Sequence, residues 1–194
     1  MSNEWDGYAE NWDIDPTVEE YAKKAFLELI EYINIDGLTV LDFGCGTGAL
    51  TILISPKVER IVAIDPSSEM INYLNKKALN NVSSIVDYLS EELIRNLPEL
   101  ENKFDLIVAS SVCSFLPDYE GTLSLLKSLL KKGGVFVQWD WLSNDDSSDI
   151  GLSDKRVKQA FVANGFVNTR ITNPFIMSNS KGDMPVIMAI GENA

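Results

Sequence analysis

The sequence predicts an α/β fold: a seven-stranded, mostly parallel sheet with helices on both faces, closed by an antiparallel C-terminal hairpin. Two observations carry this. Between Leu38 and Trp141, short apolar runs alternate with helical patterns, as parallel strands joined by crossover helices require. Beyond Trp141 the alternation stops. Phe166–Ile171 and Pro185–Ile190 then read as strands with no helix between them, which makes them an antiparallel pair.

The elements follow in order. Asp15 and Pro16 start a helix as N-cap and first helical residue. Val18, Tyr21, Ala22, Ala25, Phe26, Leu29, Ile30 and Ile33 give it one apolar stripe, and Asn34 and Gly37 end it. Leu38–Phe43 is the first strand, followed by a helix over Gly48–Ile54 with Pro56 just beyond. Arg60–Ile64 is the second strand, closed by Asp65. Ser67 caps a helix whose inner face is Met70, Ile71, Leu74 and Ala78. Val82–Val86 and Phe104–Ala109 are the third and fourth strands. A helix over Leu123–Leu130 stops at Gly133 and Gly134, and Val135–Trp141 is the fifth strand. Ser143–Asp149 is a polar loop whose acids Asp145, Asp146 and Asp149 read as solvated. Asp154–Asn164 is the last helix, with Val157, Ala160 and Phe161 inward.

Bulk properties narrow the function. The 194 residues suit one domain. A net charge of -13 repels nucleic acid and anionic membrane, so neither is an expected partner. Cys45 and Cys113 make no disulfide framework, and an acidic polar start is unlike a signal peptide. We therefore expect a cytoplasmic protein. The composition contains no histidine, which removes the commonest general base and metal ligand.

The most informative stretch is Val40–Leu50, VLDFGCGTGAL. A strand runs into Gly44, Gly46 and Gly48, and a helix begins just after. Such turns let the backbone take positive φ and bring a ligand close to main chain. Gly44–Ala49 also satisfies the dinucleotide pattern G-x-G-x-x-G/A, and Asp65 stands 17 residues past Gly48, where an acid bonds ribose hydroxyls. The glycines thus fit NAD as well as another adenosine cofactor. Asp42 separates the two. An anion beside the turn opposes a pyrophosphate, whereas it favours a ligand carrying an ammonium group.

On these residues the chain resembles the class I S-adenosylmethionine-dependent methyltransferases, a Rossmann-like, doubly wound fold, over about Leu38–Trp141. VLDFGCGTG is similar to the family's first motif, and the resemblance implies that Asp42, Gly44, Cys45, Gly46 and Gly48 hold the methionyl part of S-adenosyl-L-methionine. VAIDPSSEM resembles the second motif, implying that Asp65 bonds the ribose and that Pro66 and Met70 flank the adenine. Asp87 matches the acid that receives the adenine amino group, with Tyr88 beside it. FDLIVASSVCSFLPD resembles the fourth motif, implying that Ser110 faces cofactor and Ser111 faces substrate. The product would be S-adenosyl-L-homocysteine. The expected organisation is an N-terminal helical lid (1–36), a cofactor-binding core (37–141) and a C-terminal helix and hairpin (142–194) in one domain.

Acceptor-side residues are Trp5, Tyr8 and Trp12, spaced i, i+3 and i+7 on one helical face, together with Ser111, Trp139 and Trp141. The acceptor is expected to be a small molecule. No residue stands out as general base, and Asp140, Tyr8 and Asp13 are the weak candidates. A lone Asp140 makes a poor magnesium ligand set, so no metal is expected. Two other readings stay open: an NAD(P)-binding oxidoreductase, and a non-catalytic S-adenosylmethionine-binding module.

Overall fold

The computed structural model describes residues 4–101, 104–144, 151–179 and 182–194. The acids Asp145, Asp146 and Asp149 of the expected loop lie outside them. The chain forms two compact units, Met1–Glu101 and Asn102–Ala194.

The first unit opens with a 3₁₀ turn, Glu4–Tyr8, and a short helix α1, Ala9–Trp12. Helix α2 is Pro16–Tyr32, and Asp15 accepts the Thr17 N–H at 2.9 Å as its cap. Of the expected stripe, Tyr21, Ala22, Ala25 and Leu29 are buried, while Ile30 turns outward. Strands β1 (Thr39–Phe43), β2 (Arg60–Asp65) and β3 (Val82–Val86) pair in parallel in the order β3-β2-β1. Helix α3, Thr51–Ile54, is shorter than the run from Gly48, because the glycine turn uses the first residues. Helix α4 is Ser68–Lys76, capped by Ser67. It stops before Ala78, whose φ of 50° takes it out of helical space. Helices α5 (Glu91–Asn96) and α6 (Pro98–Glu101) have no apolar stripe, and the sequence pattern gave no sign of them. The core is Val40, Leu41, Ile61, Val62, Ile64, Ile71 and Leu74, all essentially sealed from solvent.

In the second unit, β4 (Phe104–Ser110) is parallel to β5 (Leu130–Trp141), and helix α7 (Tyr119–Leu129) links them. Gly133 and Gly134 do not end a helix. They lie inside β5, where the pairing with β4 slips between Phe104 and Leu106. A side chain at Gly134 would meet the Lys131 and Phe104 carbonyls at 2.9 Å, so the bulge needs glycine there. Helix α8 (Asp154–Ala163) precedes β6 (Phe166–Asn179) and β7 (Gly182–Asn193), which pair antiparallel, as β7 does with β5. Both hairpin strands outrun the expected ranges, because bulges at Val167/Arg170 and Thr172/Phe175 break the period-two signal. Phe136, Phe161 and Phe166 stack in one cluster, with centroids 4.9 to 5.9 Å apart.

The seven strands fall in the order β3-β2-β1-β4-β5-β7-β6, with the last two pairings antiparallel, which is the doubly wound, Rossmann-like pattern. Among the described residues no helix is long and apolar enough to cross a membrane.

Candidate functional site

The glycine turn continues β1 directly. The Gly44 and Cys45 N–H groups both donate to the Ile64 carbonyl on β2, at 2.8 and 3.1 Å, and the Gly48 N–H closes the turn on the Cys45 carbonyl at 2.9 Å. Gly44, Gly46 and Gly48 have φ of 69°, 54° and 86°, a region that side chains disfavour. At Gly48 space is the second constraint, since a Cβ there would sit 2.4 Å from Leu74 Cδ1. Cys45 is buried in the turn, and burial pushes its thiol well above the usual range, so it stays a neutral small group.

Two carboxylates frame the turn. Asp42 is 1% exposed and accepts the Thr51 hydroxyl on α3 at 2.6 Å. Burial raises its proton affinity to about 7, with the Thr51 bond pulling down and Asp65 pushing up. Asp65, at the end of β2, accepts the Gly46 N–H on one oxygen and the Ser67 N–H on the other, both at 2.9 Å. One acid thereby ties the second strand end to the turn and to the start of α4. Burial raises its affinity too, against the two N–H bonds.

The N-terminal segment is fastened onto this same corner. Asp6 accepts the Ser67 hydroxyl at 2.6 Å and also reaches the Glu69 N–H at 3.4 Å. Asp13 accepts the Thr47 hydroxyl at 2.5 Å and pairs with Lys77 at 3.0 Å. The Trp12 indole nitrogen lies 3.8 Å from where a Cβ on Gly46 would be. Trp5, Tyr8 and Trp12 do form one aromatic cluster, Trp5 meeting Tyr8 at 5.7 Å and Trp12 edge-on at 6.2 Å. Tyr8 remains 58% exposed.

The carboxylates Asp6, Asp13, Asp42 and Asp65 therefore surround the glycine turn, and the nearby ammonium of Lys77 is taken up by Asp13. This set of acceptors opposes a pyrophosphate and fits a cationic, phosphate-free ligand such as S-adenosylmethionine. Pro66 and buried Met70 adjoin the Asp65 corner, whereas Asp87 and Tyr88 stand exposed past the end of β3.

The second unit holds the remaining candidates. Ser110 ends β4, and Ser111 follows with φ 56°, its N–H donating to the Trp139 carbonyl at 2.7 Å. Trp139 is wholly buried and Trp141 half-buried. Asp140 is fully buried, and its Oδ1 accepts the Ser114 N–H at 3.1 Å. On the same face of β5, Gln138 Oε1 accepts the Tyr119 hydroxyl at 2.8 Å. Sequence reasoning missed Asp6, Thr51, Lys77 and Ser114. Of these, Asp6 alone carried a readable signal, an i, i+7 spacing with Asp13 that follows Trp5 and Trp12 by one residue.

Comparison with known proteins finds methyltransferases. A model of the methyltransferase domain matches residues 15–172. The chain is 30% identical over 131 residues to a malonyl-[acyl-carrier protein] O-methyltransferase of Acetivibrio thermocellus, covering 66% of this chain and 44% of that protein. It is 33% identical over 105 residues to a cypemycin N-terminal methyltransferase of a Streptomyces species, covering 52% of this chain and 41% of that protein. It thus spans about half the length of the curated relatives it matches. A solved structure of DhpI with SAH shares the fold, with a TM-score of 0.75, 21% identity and coverage of 96% of this chain and 92% of that one. With the domain match running over most of its length, the chain belongs to the class I S-adenosylmethionine-dependent methyltransferase family.

Proposed function

We propose that this chain transfers a methyl group from S-adenosylmethionine to a small-molecule acceptor by in-line displacement. The observation that carries the reading is the glycine turn framed by buried Asp42 and Asp65, with no cation free to meet a phosphate among the groups described around it. The cofactor supplies an electrophilic methyl group on a sulfonium, so the protein's work is mainly alignment. Proximity and orientation can lower such a barrier by about 7–11 kcal/mol.

In this reading Asp42 and the turn of Gly44, Cys45, Gly46 and Gly48 hold the methionyl part, and Asp65 the ribose. Pro66, Met70, Asp87 and Tyr88 surround the adenine, and Ser110 completes the cofactor contacts. The N-terminal segment covers the cofactor, with Trp5, Tyr8 and Trp12 on its acceptor side; Ser111 and Trp141 are the second unit's acceptor-side candidates, and Trp139 is sealed in the core. Water exclusion by such a cover favours loss of charge from sulfur. Of the weak base candidates, Asp13 is engaged by Thr47 and Lys77, and Tyr8 is open to solvent. A net charge of -13 supports a small acceptor over a polyanion.

The test is calorimetry with S-adenosylmethionine and S-adenosylhomocysteine on the wild type and Asp65→Ala. Both ligands should bind the wild type. The variant should bind about 10- to 100-fold more weakly, since charged hydrogen bonds are lost. No heat with either ligand, or tight binding of NADH instead, would overturn the assignment. Binding without turnover in a broad metabolite screen would point to a non-catalytic module.

A further inference from the structure

The turn that leaves β4 is pinned twice to β5. At its start the Ser111 N–H donates to the Trp139 carbonyl at 2.7 Å. Three residues on, the Ser114 N–H donates to Asp140 Oδ1 at 3.1 Å. The first tie is main chain to main chain and any sequence could make it. The second depends on one fully buried carboxyl, on a face of β5 where an apolar residue would be expected. Among the described residues, Asp140 Oδ2 and Ser114 Oγ are also buried without a well-formed hydrogen bond of their own. A half-satisfied carboxyl is costly in a core, and its one good bond goes to this turn. The turn stands at the carboxyl end of a parallel strand, where α/β folds hold their ligands.

We propose that Asp140 is a positioning residue for methyl transfer, setting through the Ser114 amide the course of the Ser111–Phe115 turn. The proposal rests on the methyltransferase reading above. It also makes the turn sensitive to pH. Burial raises the Asp140 proton affinity to about 7, while the Ser114 N–H and hydroxyl and the Cys113 thiol, close by, pull it down. The titratable groups facing it stay neutral there, because burial pushes both the Cys113 thiol and the Tyr119 phenol up. Glu120, next along α7, is held ionised by Arg156, and β7 presents apolar Ile187 opposite Asp140. Above the midpoint the Ser114 bond becomes charge-assisted and the turn tightens; below it the bond is an ordinary neutral one.

Amide hydrogen exchange, corrected for intrinsic rate, tests this between pH 5.5 and 8.5 on the wild type, Asp140→Asn and Ser114→Ala. Ser114 protection should rise about tenfold through pH 7 in the wild type. It should be flat in Asp140→Asn, and the rise should persist at position 114 in Ser114→Ala, which keeps the N–H. Ser111, tied to a carbonyl, should change little. A flat wild-type profile overturns the proposal without help from any variant, as does an equal rise in Asp140→Asn. Calorimetry with S-adenosylhomocysteine on the same samples should show wild-type binding changed less than about threefold in Asp140→Asn. The rise without any such binding would sink the methyltransferase reading, and this role with it.

Discussion

Replacing Gly48 by alanine separates two costs that usually travel together. Its φ of 86° lies in the left-handed region, where a Cβ costs about 1–2 kcal/mol. The added Cβ would also lie 2.4 Å from Leu74 Cδ1. Leu74 is 2% exposed on α4 and has little room to retreat, so overpacking adds about 1–3 kcal/mol. Gly48→Ala should therefore lose about 2–5 kcal/mol in all. Gly37 is the internal control. Its φ is 72°, but nothing lies within 4 Å of a Cβ there, so Gly37→Ala should lose only the backbone cost, about 1–2 kcal/mol. Urea unfolding at matched m-values gives both numbers. A second step isolates the clash: adding Leu74→Ala to Gly48→Ala should cost less than Leu74→Ala alone costs the wild type. Equal destabilisation by the two alanines, or strict additivity of the pair, would refute the argument that Leu74 enforces glycine at this position.

Two further outcomes follow from the charges. Asp42 and Asp140 both have proton affinities raised to about 7 by burial, against about 3.9 in an unfolded chain. Between those values the folded state keeps protons that the unfolded chain has released, so stability falls as pH rises from about 4 to 7. Each group contributes at most about 4 kcal/mol to that fall. Thermal melting should accordingly be several degrees higher at pH 5 than at pH 8, with a shallower slope in Asp140→Asn; a melting temperature that climbs over this range would contradict the burial of both acids. At the N-terminus, Asp13→Ala removes the Thr47 bond and the Lys77 ion pair. Global stability should drop by only about 1–2 kcal/mol, while thermolysin cleavage before residue 15 accelerates and tryptophan emission shifts to the red. Unchanged cleavage would mean that these bonds do not hold the segment down.

How legible the fold was depended on the range of the forces involved. The helix starts at Asp15 and Ser67 were readable because an N-cap bonds within three residues of itself. β1 and β2 were readable as apolar runs ending at turn residues. Gly133 and Gly134 misled because a glycine pair is the ordinary end of a helix, and only the close Lys131 and Phe104 carbonyls show why β5 needs glycine at 134. The hairpin was shortened by its own bulges. In the site, residue types were legible and directions were not. That Asp42 turns to Thr51, or that Asp6 reaches Ser67 across 61 residues of chain, depends on packing that no periodicity encodes.

The two helix caps beside the N-terminal segment do not depend on it. The Ser67 hydroxyl donates to Asp6 but separately accepts the Met70 N–H, so α4 keeps its cap when Asp6 leaves. Asp15 caps α2 on its own, immediately after the segment ends. The flanking helices are thus terminated independently of the piece between them. Loss of residues 4–13 would therefore leave both caps in place, while uncovering buried Ala9 and breaking the bonds of Asp6 and Asp13. Fraying of this segment, ahead of the unit that carries it, is the expected first step of unfolding.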